Sequence, residues 1–121
     1  MALPRSPRVA EWMMTLSVEE LAEVDEALAY LEEFGRSAAL PDVRHRMQTS
    51  AHFPNMSEVR INFDEKRIFR ILVCFDHDDV PVLLVAGNKF TLGNTWYLSA
   101  IPAADELFLQ YLTALEGPKE E

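Results

Sequence analysis

The sequence is poor in the residues that most enzyme families build sites from. It has one cysteine, four glycines and three histidines in 121 residues. A lone Cys74 cannot close an intramolecular disulfide, and so few Cys and His do not make the usual four-ligand structural zinc site. The phosphate-binding glycine loop, the dinucleotide fingerprint, the nucleophile elbow and the HExxH helix are all missing. No apolar run is long enough to span a membrane, and the start, MALPRSPRVAEW, lacks the apolar stretch of a signal peptide. A soluble, cytoplasmic protein with no membrane partner is expected. The length allows one core, so residues 1–121 read as a single domain, with a tail from Gly117 that is expected to be disordered.

Positive charge is also scarce. Eleven Lys and Arg face twenty Asp and Glu, for a net charge of −9, which taken whole argues against phosphate binding. The distribution is uneven, however. Residues 11–33 carry eight acids and no base, whereas residues 36–70 carry seven bases (Arg36, Arg44, Arg46, Arg60, Lys66, Arg67 and Arg70) against four acids. An acidic body with a basic middle can bind an anion locally.

Val9, Trp12, Met13 and Leu16 recur at helical spacing and predict a helix over 7–16. Ser17 followed by Glu20 has the form of a capping box that opens a second helix. Its buried stripe is Leu21, Val24, Leu28 and Leu31, and Gly35 ends it. Its acidic face reads as solvated surface, or alternatively as a partner-binding or RNA-repelling one. The stretch 36–54 reads as a loop, with a short extra strand near Val43 to Met47. From Met56 the period becomes two. Strands around Val59, over Arg67–Phe75 and over Val80–Ala86 are joined at Asp64–Lys66 and Asp76–Asp79 as an antiparallel meander. Ile101, Ala104, Phe108, Tyr111 and Leu115 predict a last helix with Pro102 near its start. The class is α+β: two N-terminal helices and a C-terminal helix packed on one face of an antiparallel sheet of three to four strands.

Cys74, within an apolar strand, reads as a buried structural thiol. His77, in an acidic turn, reads as exposed, and Trp96 as core. Arg60 and Arg70 are unusual because they interrupt apolar strands. Such arginines either pair internally, with Glu58 and Asp76 as available acids, or mark a sheet face that binds an anion. Lys89 follows the last strand and could join them. The three together would suit a phosphodiester, stabilising charge as a ribose 2′-hydroxyl attacks, without a metal.

The succession SAHFPNMSEVR, FRILVCFD, LLVAGNKF and WYLSAIPAADELFLQYL resembles the RelE/HigB superfamily of toxins from type II toxin–antitoxin systems, in particular its phage-derived HigB-like branch. The resemblance runs from about Val9 to Leu115. It implies a RelE-like fold and a metal-independent, cofactor-free mRNA endonuclease acting at the ribosome, held in check by a helix-turn-helix antitoxin. Carried across by motif, Arg60, Arg70, Lys89 and His52 are the implied catalytic residues, with acid and base unassigned between His52 and Lys89. His45, Arg46 and Tyr97 are the implied RNA contacts. The chain departs from the branch at Met47-Gln48, at Ser57 in place of Lys, at Asn88 and in the uncharged FTLGNT, each removing charge from that face. The alternative is a weak or degenerate module that mainly binds an antitoxin, or another protein target as the ParE branch does.

Overall fold

The computed structural model describes residues 3–47 and 56–116. In chain order it contains α1 (Pro7–Met13), α2 (Val18–Phe34), β1 (Val43–Met47), β2 (Met56–Asp64), β3 (Arg67–Phe75), β4 (Pro81–Asn88) and α3 (Trp96–Glu116). The four strands form one antiparallel sheet in the order β1-β2-β3-β4. The α+β class expected from the sequence is what the chain adopts.

The helices lie on both faces of that sheet rather than on one. Val43, Val59, Ile61, Ile71, Val73 and Leu83 pack with Val9 of α1 and Val24, Leu28 and Leu31 of α2. Met56, Leu72, Cys74, Val82, Leu84 and Val85 pack with Trp96, Ala100, Ile101, Ala104 and Phe108 of α3. Consecutive apolar residues in β3 and β4 are the signal for this arrangement, because a strand covered on both faces has no polar side to alternate with.

β4 contains an irregularity that sets where its end points. Leu72 pairs with Val85 but Val73 pairs with Leu83, so Leu84 is an extra residue. Leu84 and Val85 therefore face the same side, and from there on the alternation is reversed. Residues Pro4 to Ser6 lie along the outer edge of β4: Leu83 N–H donates to the Pro4 carbonyl, Ser6 N–H to the Leu83 carbonyl, and Ser6 Oγ to the Leu84 carbonyl at 2.6 Å. Backbone groups that would otherwise be open for strand pairing are thus occupied.

α1 ends three residues earlier than its spacing predicts, as Thr15 and Leu16 N–H close tighter turns on the Trp12 and Met13 carbonyls. α3 begins well before the expected point, so Pro102 lies inside it. Pro102 has no N–H to donate to the Leu98 carbonyl, and Leu98 lies on the exposed side of the helix.

α2 starts on the capping box read from the sequence: Glu20 N–H donates to Ser17 Oγ at 3.1 Å and Ser17 N–H donates to Glu20 Oε1 at 2.8 Å. Arg67 Nη1 also donates to Glu20 Oε2 at 3.0 Å, tying the helix start to β3. The Ser17 backbone donor, and then Arg67, hold the Glu20 carboxyl below the usual range. Ser17→Ala is expected to cost about 1 kcal/mol, read as a lower urea midpoint at unchanged slope. A carboxyl lowered in the folded state contributes stability above its unfolded pKa and loses it as pH falls through the folded one. Glu20→Gln should therefore flatten part of the acid limb of the stability profile.

Candidate functional site

β2 and β3 are joined by a two-residue turn between the paired Asp64 and Arg67, and an extra residue in β2, Phe63, then shifts the register by one so that Arg60 stands directly opposite Arg70. Arg70 is in turn opposite Gly87 of β4. The row lies on the α3 face, because Met56 and Leu72, at matching alternation, pack against α3. The extra residue in β4 brings Gly87, and with it Lys89, to this face. Without it both would point toward α1 and α2. Lys89 N–H continues the ladder by donating to the Ile68 carbonyl at 2.9 Å.

The Trp96 indole lies against Gly87 and leaves no ready room for a side chain there. A Cβ there would stand 3.0 Å from Trp96 Nε1. The ring is buried core, as its sequence context predicts. It fixes the first turn of α3, so that Tyr97 reaches across the row. Tyr97 O–H donates to Glu58 Oε2 at 2.6 Å. Its ring lies 5.1 Å from Lys89 Nζ, which also donates to Asn94 Oδ1 at 3.3 Å.

Glu58 is 1% exposed. Its other oxygen, Oε1, lies 3.9 Å from Arg44 Nη1 and 4.0 Å from Arg60 Nε. Arg70, 2% exposed, is held by neutral acceptors: its Nη1 donates to Asn62 Oδ1 at 2.9 Å and to the Phe69 carbonyl at 2.8 Å. The Nε atoms of Arg60 and Arg70 are buried with no hydrogen-bond partner among the described residues. Arg44 and Arg60 thus flank one carboxylate, with Arg70 and Lys89 on the same face, which leaves the patch cationic on an acidic protein. Two unpaired guanidinium donors in one register row suit an anion.

Burial, then the Arg70 charge, push the Lys89 ammonium below the ordinary lysine range, with Glu58 opposing. Burial and the bond to Glu58 push the Tyr97 phenol up to about 12. At neutral pH Tyr97 is therefore a committed donor.

The structure brings together Arg60, Arg70, Lys89 and Tyr97. His45 lies on the other face of the sheet with both ring nitrogens engaged: Nε2 donates to the Ala38 carbonyl at 2.6 Å, and Nδ1 is hydrogen-bonded with the Ser57 hydroxyl at 2.7 Å. Arg46 is on β1. His52 lies outside the described residues, as does the tail from Gly117. Asp76 does not partner Arg70. Its Oδ1 accepts the Asp78 and Val80 N–H groups, and its Oδ2 the Tyr111 hydroxyl. Cys74 is buried with its thiol pushed up to about 12 by burial, and His77 is exposed.

Sequence reasoning passed over Arg44, Asn62 and Asn94. Asn62 was within reach, since it shares the alternation of Arg60 across the same hairpin from Arg70. A cavity of about 430 Å³ between α2 and the β2 edge touches Arg60 but is lined by Glu23, Glu26 and Asp42. Its acids oppose an anion, so the concave space and the cationic chemistry do not coincide.

Comparison with known proteins comes to a consistent result. Residues 11–109 match the family described as phage derived protein Gp49-like (DUF891). The chain is 35% identical over 112 residues to the Mycobacterium tuberculosis (strain ATCC 25618 / H37Rv) protein named "Putative toxin HigB2", covering 93% of this chain and 55% of that one. It is 31% identical over 117 residues to "Putative toxin HigB3" of the same organism, covering 97% and 98%. The chain therefore spans about half of the first relative and nearly all of the second. No solved structure matches it. Among the described residues no helix is long and apolar enough to cross a membrane.

A cationic site of this kind has a simple titration signature. Sulfate binding to the protein should weaken as pH rises through the lowered Lys89 value, because the ammonium is lost. Lys89→Arg, whose charge persists, should remove that decline when binding is followed by calorimetry.

Proposed function

Because the chain belongs to the Gp49-like family of phage-derived proteins, we propose that it acts as the toxin of a type II toxin–antitoxin pair. Its activity is metal-independent, ribosome-dependent cleavage of mRNA, which stops translation. The observation that carries this reading is the register row of Arg60 and Arg70, with Lys89 and Tyr97 on the same face. The toxin names of the two relatives support it.

In the reaction the ribose 2′-oxygen attacks the adjacent phosphorus and the bond to the 5′-oxygen breaks, leaving a cyclic phosphate and a 5′-hydroxyl. Negative charge grows on the non-bridging oxygens, where Arg60 and Arg70 stabilise it. A base takes the 2′ proton and an acid protonates the departing 5′-oxygen. Lys89, made readier to release a proton than an ordinary lysine, takes the acid role, and His52 the base role. Tyr97 offers a ring for base stacking, and Arg46 contacts backbone phosphate. His45 acts indirectly, by fixing the strand that carries Arg44 and Arg46. The partners are the ribosome with its mRNA in the cytoplasm, and a helix-turn-helix antitoxin that covers the site. With a net charge of −9, association with the ribosome depends steeply on salt.

A second reading has its own support. Glu58 already stands among the arginines and Arg70 is almost fully buried, as in a module that keeps antitoxin binding without efficient cleavage.

Induction of the wild type and of an Arg70→Ala, Lys89→Ala double variant in a bacterial host separates the two. Growth arrest with codon-phased mRNA 5′ ends is expected for the wild type, and cleavage should fall by on the order of 10²-fold or more in the variant. Normal growth and intact mRNA with verified soluble wild-type protein would select the module.

A further inference from the structure

We infer that Glu58 is a positioning residue of this site: its buried carboxylate holds the Tyr97 hydroxyl with one oxygen and the Arg44 and Arg60 guanidinium groups with the other. The inference rests on the proposed ribonuclease reading for its kinetic consequence, but not for its structural one.

A glutamate side chain 1% exposed is costly to bury unless it is used. Here both oxygens are. Oε2 accepts the Tyr97 hydroxyl at 2.6 Å, the short range of a charge-assisted bond. Oε1 faces Arg44 at 3.9 Å and Arg60 at 4.0 Å, distances of ion pairs without a direct hydrogen bond. The carboxylate thus attracts the arginines while leaving Nε of Arg60 unspent. A closer pair would have consumed the donor an anion needs. The groups in contact with it are Arg44 from β1, Arg60 from β2 and the Tyr97 phenol from α3, and Arg70 from β3 and Lys89 beyond β4 are the further charges of the same cluster. Burial excludes Glu58 itself from contact with a nucleotide, so it acts through Tyr97 and the arginines.

The consequence is a split between binding and turnover. Glu58→Gln removes a negative charge beside the phosphate site, so a 2′-deoxy substrate analogue should bind several-fold tighter at low salt. The looser Tyr97 and arginines should lower turnover on programmed ribosomes by on the order of 10²-fold. A merely structural role would weaken both or neither. Tyr97→Phe should reproduce the turnover loss, and the double variant should lose no more than either single one. Additive losses would overturn the inference. Should Glu58→Gln fail to fold, Tyr97→Phe of unchanged melting temperature and unchanged turnover would overturn it equally.

A readout independent of cleavage is the phenol titration near 295 nm, assigned to Tyr97 by difference from Tyr97→Phe. In Glu58→Gln its midpoint should move down from about 12 by the share that Glu58 contributes, while the larger share due to burial stays. An unmoved midpoint overturns the hold. A wild type that cleaves nothing would end the ribonuclease reading, and the phenol titration would then decide the role of Glu58 by itself.

Discussion

Register is the constraint on which the site depends. Side chains of a strand alternate with a period of two, so a slip of one residue sends each to the opposite face. Three local features fix the phase here. The tight turn at Glu65-Lys66 and the extra residue Phe63 in β2 together put Arg60 across from Arg70, and Leu84, the additional residue in β4, turns Gly87 and Lys89 to the same side. The bulge costs ladder regularity, but its region is steadied from outside by residues 4–6, whose bonds reach Leu83 and Leu84. The N-terminal segment thus supports the site without touching it.

Electrostatics then decides what the row can be. A unit pair about 4 Å apart is worth on the order of 4 kcal/mol at an effective dielectric near 20. Desolvating a carboxylate costs several kcal/mol. Arg44 and Arg60 are partly exposed, so water screens the gain further. The Glu58 cluster therefore adds little net stability and is better understood as specifying geometry. Stability comes instead from the two apolar layers and from local devices such as the Ser17–Glu20 box.

The parts of this arrangement readable from sequence were those with a short period or a local chemical signature. The capping box, the β2–β3 turn, the strand at Val43–Met47, the acid beside Arg60 and the core placement of Trp96 all belong to that class. The last helix was expected, but its place on the far face was not, because the unbroken apolar runs of β3 and β4 identify strands without saying which helix covers which side. The start of α3 was missed because Pro102 suggested a first turn, whereas it stands inside the helix. The β4 bulge had no composition signal at all, since Leu83, Leu84 and Val85 are interchangeable as apolar residues. Its position just after the last strand, and then motif resemblance, pointed to Lys89, but only the bulge explains why it stands on the face of Arg70.

The sheet divides the interior into two layers that share backbone but few side chains. The layer under α1 and α2 contains none of the cations around Glu58. Mutational drift can therefore erode the charge pattern on the α3 side while the opposite layer keeps the chain folded. A lineage can lose or retune its chemistry in small steps and still present an intact surface to whatever binds it.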